Sequence, residues 1–70
     1  MKQITSNDTI FATVRGRNSI IANLRLSGMN SMADVVASVR DAVGEGCGLL
    51  TLTLRNGSQG WTDRRSILFA

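Results

Sequence analysis

Arginine is the residue through which this chain could do chemistry. Of its eight basic residues, Arg15, Arg17, Arg25, Arg40, Arg55, Arg64 and Arg65 are arginine and only Lys2 is lysine. A guanidinium forks onto a phosphate through parallel N–H bonds and also stacks on flat rings, so it serves both parts of a nucleotide. Phe11 and Trp61 are the aromatic residues that could add a stacking surface beside it. The candidate nucleic-acid-binding set is therefore Arg15, Arg17, Arg25, Arg55, Arg64 and Arg65 for phosphate, with Phe11 and Trp61 for bases. Asp34, Asp41 and Glu45 against Arg40 leave the segment around residues 31–45 at −2, and the other basic residues against Asp8 and Asp63 leave the rest at +5. A basic surface separated in this way attracts phosphate backbones through counterion release.

Catalysis has little to stand on. The chain has no histidine and no tyrosine, and its five carboxylates form no evident pair outside one helical segment, so general acid–base chemistry lacks its usual groups. The single cysteine, Cys47, excludes an intrachain disulfide and makes a structural zinc site untenable. It follows a helix C-terminus beside Glu45, negative surroundings in which a nucleophilic thiolate is not expected. Cys47 reads instead as a small residue, buried or half-buried. Gly44-Glu45-Gly46-Cys47-Gly48 is glycine-rich, but a phosphate-cradling loop runs from a strand into a helix N-terminus, and this one leaves a helix. No enzyme, cofactor or metal is expected.

The elements that must position the arginines are legible from spacing. Thr9 to Arg15 alternates, with Ile10, Ala12 and Val14 on one face and Phe11, Thr13 and Arg15 on the other. Ser19 to Ser27 alternates likewise, placing Ile20, Ala22, Leu24 and Leu26 against Ile21, Asn23 and Arg25. Gly16-Arg17-Asn18 joins the two as an antiparallel hairpin. Ser31 to Gly44 reads as a helix, since Ser31 and Asp34 match a capping pattern and glycine stands at the stop. Met32, Val35, Val36, Val39, Ala42 and Val43 form its apolar stripe. β-branched valine lowers helix propensity, so packing is expected to hold this segment. Leu49 to Arg55 is a third strand, with Leu50, Leu52 and Leu54 against Thr51, Thr53 and Arg55.

Asn56-Gly57 is a strong hairpin signal. A tight turn there would set Trp61 opposite Leu52, but would also bring Asp63 and Arg65 to the core face. The expected solution is a broken strand, with a bulge near Asp63 or a loop from Asn56 to Asp63, and Ile67 and Phe69 inward. The chain is thus expected to be one α+β domain over residues 1–70, strand-strand-helix-strand-strand, an antiparallel sheet with one helix packed on one face. Residues 1–8 are expected to be a flexible polar arm. The order of strands within the sheet is not fixed by the pattern.

On this parity the sheet face away from the helix carries Phe11, Thr13, Arg15, Ile21, Asn23, Arg25, Leu49, Thr51, Thr53, Arg55, Arg64 and Leu68. The mixture suits single-stranded nucleic acid or RNA. It equally suits protein association, because Phe11, Ile21, Leu49 and Leu68 form an apolar patch, and threonine, asparagine and arginine are also ordinary on a solvated strand. A regulatory module acting on an enzyme is a third reading. Trp61 is either a plug or lid over the core or a binding contact. A chain of 70 residues buries a thin core, so a homodimer is expected. No segment reads as a signal peptide or bilayer span, which points to the cytoplasm and away from a membrane.

Overall fold

The computed structural model describes residues 2–69. Strands β1 (Ile10–Arg15) and β2 (Ile20–Leu26) precede helix α1 (Met32–Val43), which is followed by β3 (Gly48–Asn56) and β4 (Trp61–Phe69). All pairings are antiparallel and the sheet order is β2-β1-β3-β4, so the two hairpins meet through β1 and β3. The α+β architecture expected from the pattern is the one observed.

The helix forms where its caps are. Ser31 accepts a hydrogen bond from the Asp34 N–H at 3.2 Å, and the Asp34 carboxylate accepts from the Asn30 N–H at 3.0 Å, which satisfies donors that the first turn leaves free. At the other end Gly44, at φ 83°, donates its N–H to the Arg40 carbonyl at 2.8 Å, a left-handed step that costs glycine nothing. Val35 and Val39 are fully buried against Ile10, Ala12 and Val14 of β1, Leu50, Leu52 and Leu54 of β3, and Ile67 and Phe69 of β4. Met32, Val36 and Val43 pack at the margin. Ala42, expected in the stripe, is exposed. Val43, four residues on from Val39, carries the apolar line to the end of the helix, and Ala42 beside it stays on the solvent side.

β4 differs from its expectation in a more consequential way. It is continuous over nine residues, pairing Trp61 with Asn56, Asp63 with Leu54, Arg65 with Leu52 and Ile67 with Leu50. There is no bulge at Asp63. The connection is the four-residue turn Gly57–Gly60, closed by Gly60 N–H to the Asn56 carbonyl at 2.8 Å, and Trp61 consequently faces Asn56 rather than Leu52. The register therefore does bring Asp63 and Arg65 to the helix side. This is tolerable because β4 is an edge strand and the two side chains satisfy each other. Arg65 Nε donates to Asp63 Oδ2 at 2.8 Å, and Lys2 Nζ donates to Oδ1 at 3.0 Å. Both interactions hold the Asp63 carboxyl below its ordinary range, Arg65 more than Lys2.

The first hairpin contains the other correction. Val14 pairs with Ala22 but Arg15 pairs with Ile20, so Ile21 is an extra, bulged residue. The bulge exchanges the expected sides of the two isoleucines. Ile20 comes to the outer face opposite Arg15. Ile21 lies over Gly16 on the side of Leu50, since a Cβ on Gly16 would stand 3.3 Å from Ile21 Cδ1 and 3.7 Å from Leu50 Cδ2. Both stay largely exposed, at 51% and 45%.

Residues 2–8 belong to neither strand nor helix, and they lie across the β3–β4 end on the helix side. The Gln3 carbonyl accepts from Trp61 Nε1 at 3.1 Å, and Ile4 packs on the core. Asp8 is buried. Its Oδ2 accepts from Thr5 N–H and Asn56 Nδ2, both at 3.0 Å, and from Gln59 Nε2 at 2.6 Å. Asn56, fully buried, uses its Oδ1 to accept from Ser58 and Gln59 N–H at 2.9 Å each. Asp8 and Asn56 thus bind the arm to the second turn.

Candidate nucleic-acid interface on the outer sheet face

Antiparallel register places opposite residues on the same side, so the outer face can be laid out row by row. The first row across the sheet is Arg25, Phe11, Arg55 and Thr62, and the second is Asn23, Thr13, Thr53 and Arg64. The third is Ile20, Arg15, Thr51 and Ser66, and Leu49 pairs with Leu68 beyond it. Four arginines share this face. All five acidic side chains lie elsewhere, with Asp8 and Asp63 on the arm side, Asp34 and Asp41 on α1 and Glu45 in the turn after it.

The arginines also differ in how they are held. Among the described residues, Arg15, Arg25 and Arg64 have no ion pair and no side-chain hydrogen bond. Arg55 has only the Phe11 ring, with its guanidinium carbon 4.5 Å from the ring centroid. Arg17, in the β1–β2 turn, is exposed and equally unpaired. Arg65, included on sequence grounds, is on the opposite face and committed to Asp63. Trp61 is also on that opposite face, half-buried over the core with its indole N–H given to Gln3, so it is a lid and not a neighbour of Phe11. The geometry brings together Arg15, Arg25, Arg55, Arg64 and Phe11, leaves Arg17 at the margin, and sets Arg65 and Trp61 apart.

Pattern reading missed two participants. Thr62 completes the first row, next to Arg55, and only a continuous β4 places it there. Gly57 matters through its missing side chain. A Cβ there would stand 3.1 Å from Phe11 Cε2, so glycine gives the ring its position. Phe11, Thr13, Asn23, Arg25, Arg55 and Thr62 line an open depression of about 490 Å³. Within it the Thr13 hydroxyl donates to Asn23 Oδ1 at 2.9 Å.

No three histidine, cysteine, aspartate or glutamate side chains converge among the described residues. Cys47, expected to be at least half-buried, is exposed, because the turn from α1 swings clear of the core and is tied down through Gly46 N–H to the Phe69 carbonyl instead. No helix among the described residues is long and apolar enough to cross a membrane.

Fold and site define a four-stranded antiparallel sheet with one face under a helix and the other face basic. Comparison with protein-family models, with curated proteins and with solved structures finds no match.

Proposed function

We propose that this chain is a small non-enzymatic binding module whose outer sheet face binds single-stranded nucleic acid. The observation that carries this reading is the segregation of charge: among the described residues, four arginines without carboxylate partners share a face with no acidic side chain on it, around an aromatic ring. Unpaired guanidiniums on one surface repel one another, and a polyanion relieves that repulsion while releasing its counterions. Threonine hydroxyls between the arginines add hydrogen-bonding groups for sugar and base.

Titration of a labelled oligonucleotide by fluorescence anisotropy across a salt series tests it. Four phosphate contacts on a single strand give a log–log salt slope of about −3, or about a 50-fold loss between 50 and 200 mM salt. No binding at low salt removes the reading.

A protein partner is the rival, and the Leu49–Leu68 pair supports it, being 68% and 57% exposed at the end of this face. Two copies cannot meet through the outer faces without opposing their arginines. A homodimer, which the thin core still favours, would use an edge of β2 or β4 and keep the basic faces open. A cytoplasmic setting is part of the same proposal. Light scattering at micromolar concentration tests the dimer, and a stable monomer contradicts it.

A further inference from the structure

The open edge of β4 leaves backbone groups without partners, and their arrangement matches a copy of itself. Gly57 donates its N–H to the Thr9 carbonyl at 3.0 Å, so the odd-numbered residues of β3 turn their backbone groups toward β1 and the even-numbered ones toward β4. Each even-numbered residue of β3 stands opposite an odd-numbered residue of β4, as Leu52 does opposite Arg65. The backbone N–H and carbonyl groups of Thr62, Arg64, Ser66 and Leu68 therefore point out of the sheet. Arg40 closes one end of this row. Its guanidinium carbon lies 5.4 Å from the Phe69 ring centroid, and its Nη1 donates to the Leu68 carbonyl at 2.9 Å. The Gly57–Gly60 turn closes the other end. Among the described residues the open stretch is thus Thr62 to Ser66, with Arg64 at its middle.

The other edge strand, β2, is shorter, and the Ile21 bulge interrupts its regular spacing. β4 carries a different guard, which is charge on its helix side. Inward charges ordinarily keep an edge strand from taking a neighbour, because pairing would bury them unmatched. Asp63 and Arg65 stand one on each side of Arg64, and for one neighbour that placement reverses the rule. A second β4 paired antiparallel about an axis at Arg64 sets Asp63 against Arg65 twice, once on each side of the axis. Arg65 uses only Nε on its own Asp63, so its terminal nitrogens remain for the Asp63 of the second copy. The same register sets Thr62 opposite Ser66, and the outward residues of both strands exchange all their free N–H and carbonyl groups. On the outer face Arg64 meets its counterpart. Those like charges oppose pairing, but they stand in open solvent, where one such contact is weak against a row of backbone bonds.

Resting on the homodimer reading above, we infer that two copies join through β4, antiparallel about a two-fold axis at Arg64, into one sheet with a continuous basic outer face. The limits of the open edge and the placement of the charges select this register independently of each other.

Disulfide trapping reads the register directly. In a Cys47→Ser background, which removes the chain's own exposed thiol, Arg64→Cys sets two cysteines opposite each other with Cα atoms about 5.5 Å apart, within disulfide reach. Ser66→Cys sets them about 14 Å apart, beyond it. Mild oxidation should convert most of the Arg64→Cys chain to a covalent dimer and little of the Ser66→Cys chain. Ser66→Pro, made in the parent chain, removes an outward N–H without touching a bond to β3. It should keep the parent's circular dichroism and weaken the dimer seen by light scattering about tenfold or more. Trapping of Ser66→Cys alone, or of both cysteines equally, overturns the register. A dimer that neither cysteine traps, or that Ser66→Pro leaves intact, overturns the β4 interface and leaves a homodimer through another surface. A parent chain that stays monomeric across micromolar concentrations removes the homodimer and this inference together.

Discussion

On the helix side of the sheet, charged groups at the edge of the core are held by protein partners: Asp63 takes Lys2 and Arg65, Arg40 Nη1 donates to the Leu68 carbonyl at 2.9 Å, and Asp8 takes Thr5, Asn56 and Gln59. On the outer side Arg15, Arg25, Arg55 and Arg64 donate to nothing among the described residues. The same strands supply both faces, so the contrast is not one of local structure. It shows which polar groups folding needs. Substitutions on the first face should lower stability, and those on the second should leave it nearly unchanged.

Removal of apolar volume should have the largest effect. Leu52 is fully buried at the centre of the sheet under α1, and Leu52→Ala should cost about 3 kcal/mol from lost transfer energy and the cavity left behind. In so small a domain that consumes a large part of the total, and urea denaturation followed by circular dichroism should show a clear fall in midpoint. A midpoint that hardly moved would mean that the sheet is held by something other than its helix-side core.

Asn56→Ala comes next. The variant removes the Nδ2 donor from Asp8 and the Oδ1 cap from the second turn together, and leaves Asp8 short of a partner in a buried place. A cost of about 1–3 kcal/mol is expected in the same denaturation experiment. Acid should probe the same network. Hydrogen bonding, first from Asn56, holds the Asp8 carboxyl below its ordinary value of 3.8, and Arg65 and Lys2 do the same for Asp63. The folded state therefore binds fewer protons than the unfolded state near these values. Stability should be complete above about pH 5 and fall as pH drops through the carboxylate range. Melting temperatures between neutral and acid pH will check this, and Asp8→Asn should flatten the acid limb.

How legible all this was in the sequence depends on parity. Every strand whose apolar residues alternate without conflict, β1 and β3 above all, could be read to its face, and with them Phe11, Arg15 and Arg55. The helix caps were equally plain, because Ser31, Asp34 and Gly44 act locally. Two places were not. Asp63 and Arg65 look wrong for a core face, and what makes them right is their pairing with each other on an edge strand, joined by Lys2 from 61 residues away in sequence. Ile20 and Ile21 are both isoleucine, so composition cannot say which one a bulge turns outward. Long-range pairing and bulges leave no periodic trace, so the pattern alone keeps Arg65 among the phosphate candidates and leaves Trp61 open between a lid over the core and a binding contact, of which the lid is observed.

Gly57→Ala should have a small and instructive effect. The new Cβ meets Phe11 Cε2 at 3.1 Å, and because that ring is only half-buried it can turn aside. Stability should change by less than about 1 kcal/mol, since no core contact is lost. Oligonucleotide affinity should fall more than stability does, because the ring that supports Arg55 has moved. Equal losses in both would place Phe11 with the structural face.

The smallest effect on stability belongs to the arginines themselves, and it decides the comparison. Arg15→Ala, Arg25→Ala and Arg64→Ala remove groups with no protein partner among the described residues, so each should shift stability by no more than about 0.5 kcal/mol. Arg55→Ala should cost slightly more, about 0.5–1 kcal/mol, for the stack on Phe11. Combined, the four substitutions also relieve repulsion among like charges on one face, which opposes those losses. The quadruple variant should unfold near the same urea concentration as the parent chain and yet lose its salt-dependent binding. Were it instead to unfold early, the arginines would be part of the scaffold, and the division between a face for folding and a face for ligand would not hold.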